Sequence, residues 1–258
     1  MIWLLQIPAP ILGFLWVAVI VGLSVGGLLV FRKVVSHTRL ENSNAVSGTM
    51  FQLAGVLYAV LVAFVVVVVW EQFGDAEDAS SREAAAIADL MRDSAALPAE
   101  SQTPIQQSLL AYTRHVIDEE FPRMHRGEKV VERSAEMNNV WENYLRVQPE
   151  TRTEIAFFDH AINRLSDLET DRKTRVSTGD SSVPGELWVL LVGGGGVVMA
   201  FTFLFGTRDL LLHSLAVGLT SALLAFVFYL IFALEHPFVG ELSVQPTAYV
   251  NVLETWAD

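Results

Sequence analysis

Glu71, Asp75 and Asp78 stand at i, i+4 and i+7, directly after the 21 uncharged residues Met50–Trp70. At that spacing three carboxylates share one helical face. Unpaired, they repel by a few tenths of a kcal/mol per pair. Repeated around the axis of a symmetric assembly, they form acidic rings, which gather cations and turn anions away. The plainer reading is a solvated helix face just above a membrane. Gln52 and Tyr58 are the polar positions of the apolar run itself. With Val62, Val65 and Val69 they suit a pore lining, polar positions leading into a hydrophobic gate that closes by dewetting. The competing reading is helix packing, with the Tyr58 hydroxyl satisfied by a neighbour.

Other reactive side chains point to less. His213, Ser214, Thr220, Ser221 and Tyr229 fall in another uncharged stretch. An ionisable group inside a membrane is a functional candidate, but His213 lies near the end of its stretch, where a side chain simply reaches the interface. His115 and Glu119 form an i, i+4 pair, and two ligands do not make a metal site. The chain has no cysteine, which removes disulfides, thiolate metal sites and cysteine nucleophiles. No glycine-rich loop follows a strand, and no nucleophile elbow is present. No enzyme activity, metal or cofactor is expected. A net charge of −12 leaves no basic face for nucleic acid.

The elements that position these residues follow from charge-free runs. Of 258 residues 52% are apolar, mean hydropathy is +0.41, and the apolar residues cluster. A helix of about 20 residues spans a bilayer's hydrocarbon core. Four stretches qualify: 11–31, 50–70, 186–205 and 210–234. Trp3 and Trp70 suit the headgroup level. A signal peptide is disfavoured for the first stretch, because Arg32-Lys33 follows the apolar run instead of preceding it. Ser24, Gly26, Gly27 and the run Gly193–Gly196 are small residues that let membrane helices approach.

Residues 71–186 carry 23 acids against 13 Lys and Arg, and helix formers dominate them. The stretch after Glu71 either continues the second membrane helix, with Gly74 as a possible kink, or restarts at a Ser80/Glu83 capping box. Thr103-Pro104 reads as a helix start and Phe121-Pro122 as its end. Ile105, Leu109, Tyr112 and Val116 share its apolar face. Met137, Trp141 and Tyr144 mark a short amphipathic helix. Thr151 and Glu154 offer a capping box, followed by Ile155, Phe158, Ile162 and Leu165 at helix-packing spacing.

The expected fold is therefore all-α: a membrane pair (1–70), an acidic helical soluble domain (71–185), a membrane hairpin (186–234) and a short tail (235–258). Residues 178–185 serve as a linker. Both termini then share the domain's side. Arg32, Lys33, Arg39 and Arg208 lie in the short loops opposite, alongside His37, and the positive-inside bias puts those loops in the cytoplasm and the domain outside. Arg172, Lys173 and Arg175, close to the third span, pull the other way.

Gly55–Ala79 (GVLYAVLVAFVVVVVWEQFGDAEDA) and His236–Pro246 (HPFVGELSVQP), with the two-plus-two spans, resemble the bestrophin-like family of bacterial membrane proteins. True bestrophins are homopentameric channels whose second span lines the pore, mostly for anions, with the main domain in the cytosol. The resemblance implies a multi-pass protein of the bacterial inner membrane that self-associates, while the acids here favour monovalent cations over anions. The expected function is a homo-oligomeric, pentameric ion channel. The alternative is a membrane sensor or scaffold acting through a partner.

Overall fold

The computed structural model describes residues 4–5, 7–36, 40–41, 43–131, 134–180 and 183–256, with side chains to 179 in the sixth helix. Trp3, His37, Arg39 and the linker positions Ser181 and Ser182 lie outside them. The described residues form helices and no strand. In chain order these are α1 (Ala9–Val34), α2 (Asn44–Ser94), α3 (Ala99–His115), a π-helical turn (Val116–Glu120), α4 (Phe121–His125), α5 (Ala135–Leu145), α6 (Arg152–Asp180), α7 (Gly185–Phe203), α8 (Leu210–Leu234) and α9 (Thr247–Trp256). Among the described residues, α1, α2, α7 and α8 are long and apolar enough to cross a membrane. The chain divides into two compact units. One comprises Ile7–Glu71 and Ser182–Glu235; the other comprises Met1–Gln6, Gln72–Ser181 and His236–Asp258.

In the membrane unit, rings meet glycines. α1 packs on α8 with the Tyr229 ring against Gly13 and the Tyr229 hydroxyl donating to the Ala9 carbonyl (3.0 Å). Trp16 stacks on Phe232 at 5.8 Å. α8 begins where the sequence places it, because Asp209 caps it by accepting from the Leu212 N–H (3.0 Å). Its far end is tied by Glu235, which accepts from the Val183 N–H (2.8 Å) and the Trp188 indole N–H (3.0 Å). α7 ends at Phe203, two residues before the expected 205. At the turn after it, Asn44 donates to the Gly206 carbonyl and accepts from its N–H. A Cβ on Gly206 would lie 2.2 Å from the Glu41 backbone nitrogen. Gly206→Ala must therefore move backbone, and it is expected to destabilise the unit by about 1–3 kcal/mol, measured as a lower melting midpoint in detergent.

The other unit is a helical head. Its core joins Ile87, Leu90, Leu109, Tyr112, Tyr144 and Leu165 to Phe238, Tyr249 and Val252 from the C-terminal residues. The sequence presents residues 235–258 as a short tail; here Tyr249 and Val252 lie on α9, and they and Phe238 before it pack inside. Leu5 is buried as well, its carbonyl so close to Gly240 (φ +80°) that a Cβ there would lie 2.6 Å away.

Two helix boundaries differ from expectation, at Pro104 and Pro122, and of the two alternatives after Glu71 the continuous helix is the one formed. α2 runs unbroken through Gly74 and Ser80. Ser80 does not cap; its hydroxyl donates back to the Ala76 carbonyl (2.9 Å), and Glu83 is buried. α3 starts at Ala99, behind Pro98, so Pro104 lies inside the helix. At that position it costs one bond near the N-terminus, where bonds are fewest. Phe121-Pro122 does not end the helix either. Proline clashes with the carbonyl four residues back; here the chain widens into the π turn, the Phe121 N–H reaches the Val116 carbonyl, and α4 continues to His125. The Thr151/Glu154 box is formed, with N–H···O distances of 3.2 and 2.9 Å.

Candidate functional site

α2 carries the residues singled out by charge and polarity. Its surface divides into two faces. Tyr58, Val65 and Val69 are 8%, 2% and 0% exposed, and Val62 beside them is half-buried. These four stand at i, i+4, i+7 and i+11 and face inward, within the membrane unit. The Tyr58 hydroxyl donates to the Leu191 carbonyl of α7 (2.9 Å). Its ring lies on the glycine run: a Cβ on Gly194 would be 2.7 Å from the ring, and one on Gly195 would be 2.9 Å from Phe228. The run is thus a seat for two aromatic rings. Gln52 is exposed and lies off this face.

Glu71, Asp75 and Asp78 are exposed, and among the described residues no basic side chain pairs with them. Counting back in steps of four and three from Glu71 gives Val67, Phe64, Val60, Leu57 and Leu53. All five are exposed, Phe64 to 69%. The acidic stripe thus continues as an apolar stripe along the same side of α2. The expected gate valines 62, 65 and 69 lie on the other side.

The remaining candidates are placed as follows. His213 is buried, its Nε2 at 2.9 Å from the Thr202 carbonyl. Thr220 and Ser221 hydroxyls bond carbonyls of their own helix. His115 stands 3.5 Å from Glu119, 3.5 Å from Glu136 and 3.7 Å from Glu120. Among the described residues, no group of three His, Asp or Glu is arranged to hold a metal ion.

The head contains a charged cluster that charge patterning did not reveal. Arg175 donates to Glu83 (2.7 and 3.2 Å) and to Glu120 (2.5 Å); Arg172 donates to the other Glu120 oxygen (2.5 Å). All four side chains are at most 3% exposed. The Tyr112 hydroxyl donates to Glu83 (2.6 Å), and the Arg175 guanidinium lies 5.5 Å from the Phe121 ring centroid. Burial alone would raise the Glu120 carboxyl, but Arg175 and Arg172 outweigh it and hold it below the ordinary value. Burial, reinforced by Glu83, pushes the Tyr112 hydroxyl well up. The available signal was periodicity: Leu165, Leu168, Arg172 and Arg175 follow one helical face, and two of the four are arginines.

A family model, the Bestrophin-like domain, matches residues 18–249. No curated protein sequence matches. A crystal structure of a point variant of a bacterial bestrophin homologue from Klebsiella pneumoniae is similar, with a TM-score of 0.64 and 15% identity over 94% of this chain and 99% of that one. A second membrane-protein variant gives 0.65 and 16% over the same shares. At such identities the likeness is one of fold. With the family match covering most of its length and four helices suited to a bilayer, this membrane protein belongs to the bestrophin-like family.

Proposed function

We propose that the chain is one subunit of a homo-oligomeric ion channel, pentameric as the family resemblance implies, with α2 around the central axis. The observation that supports this best is the unbroken exposed stripe of α2 from Leu53 through Phe64 to Glu71, Asp75 and Asp78. A stripe that is apolar and then acidic makes a dewetting constriction followed by a cation-gathering mouth. Tyr58, Val65 and Val69 serve the subunit's own packing, and the constriction falls to Leu57, Val60 and Phe64. Gln52 stays a candidate lining position at the entrance. Monovalent cations are the favoured ions.

Purified protein in planar bilayers tests the reading. Conductance is expected, and Phe64→Ser, by wetting the constriction, is expected to raise it, while Val65→Ser perturbs stability instead. Silence under every voltage and pH would overturn conduction and leave a sensor or scaffold working through a partner. The basic short-loop residues Arg32, Lys33 and Arg208 favour a cytoplasmic loop end and an external head. The cysteine-free chain makes this easy to check: a single cysteine at exposed Ser166 should react with an impermeant maleimide on intact cells.

A further inference from the structure

The short-loop end of the membrane unit holds an open groove of 320 Å³ whose walls are mostly apolar. Phe51, Phe205, Leu212 and Val217 line it, with Thr207 and the buried His213 as polar members. Next to it on α8, Leu211, Leu215 and Leu219 are widely exposed, so its mouth opens on the side suited to hydrocarbon. A basic group borders the same end. Arg32 donates to the carbonyl of Thr207, a groove residue, and its other terminal nitrogen is buried with no partner among the described residues. Lys33 is exposed. Of the acids nearby, Glu41 pairs with Arg208 (3.3 Å) and Asp209 caps α8. Arg32 and Lys33 are thus left without a carboxylate among the described residues.

We infer that this groove binds one anionic phospholipid per subunit, its acyl chain between Phe51 and α8 and its phosphate beside Arg32 and Lys33. The chemistry fits both ends of such a molecule. The apolar walls take a chain that costs nothing to remove from a bilayer, and each basic residue close to an anionic headgroup adds roughly 1 kcal/mol, about fivefold in affinity. Thr207 links the two parts, because it lines the groove and its carbonyl is held by Arg32. The inference does not depend on conduction.

Native mass spectrometry of the full chain, reconstituted with phosphatidylglycerol or phosphatidylcholine of identical chains, tests it. One retained phosphatidylglycerol per subunit is expected, preferred at least about fivefold over phosphatidylcholine. Arg32→Gln with Lys33→Gln should bring the two lipids to parity. Ala216→Phe, at an exposed position in the groove wall, should abolish retention of both; Thr220→Phe provides the same reading should the first variant fail to assemble. Equal retention of the two lipids by the unaltered chain would overturn the headgroup assignment. Full retention by the groove-filling variants would overturn the groove.

Discussion

Arg175→Met is expected to unfold the helical head. Arg175 is fully buried and holds Glu83 and Glu120 together through three hydrogen bonds of 2.5–3.2 Å. Among the described residues, removing it leaves Glu83 with the Tyr112 hydroxyl but no guanidinium, and Glu120 with Arg172 and, at 3.7 Å, His115. Breaking a buried ion pair on one side costs about 3–5 kcal/mol, because the remaining charge is buried and uncompensated. That is a large part of the stability of an ordinary domain. Replacing both partners of a pair is milder, so Arg175→Met with Glu83→Leu should recover part of the loss. Thermal melting followed by circular dichroism measures both. Acid should act through the same cluster. Glu120 has its folded pKa held below the ordinary 4.5, so its contribution is complete above that value. It is lost as the pH falls through the lower, folded value. A melting midpoint that is level through neutral pH and drops only below 4.5 is the expected profile, and Arg172→Gln should move the drop upwards.

The second large effect concerns selectivity. Glu71→Gln with Asp75→Asn and Asp78→Asn keeps shape and removes three negative charges from each subunit. Charged clefts concentrate counter-ions by roughly tenfold or more, and in an oligomer every subunit repeats the loss. The cation-to-anion permeability ratio, read from reversal potentials in a salt gradient, is expected to fall about tenfold, and the effect should fade as salt screens the stripe. Unchanged reversal potentials would show that these carboxylates merely face solvent. Because none of the three has a basic partner among the described residues, folding should be untouched, so a change in selectivity would not be confused with damage.

The membrane helices were legible because charge-free length is a strong signal; α8 has the expected bounds, residue for residue. Which side of α2 faces inward was not. Nearly every residue from Leu53 to Val69 is apolar, so hydropathy has no period to follow, and the inner face is selected by Tyr58 finding a ledge of glycine on α7. In the head, the apolar faces of α3 and α5 were legible, while the buried arginines were not, since charged residues are ordinarily solvated. The false boundaries share one cause. Prolines mark where a helix can start or stop, and tertiary packing carried the helix past them at Pro104 and Pro122 alike.

The four glycines of α7 carry unequal evolutionary burdens. Gly194 and Gly195 have no room for a methyl group, whereas Cβ atoms on Gly193 and Gly196 would meet nothing within 4 Å in the subunit. Alanine at either outer position would even favour the helix, by about 1 kcal/mol. Related lineages should therefore drift freely at 193 and 196 wherever neighbouring copies leave space, and stay frozen at the middle pair. A catalogue of natural variants would expose that alternation without any experiment on the protein.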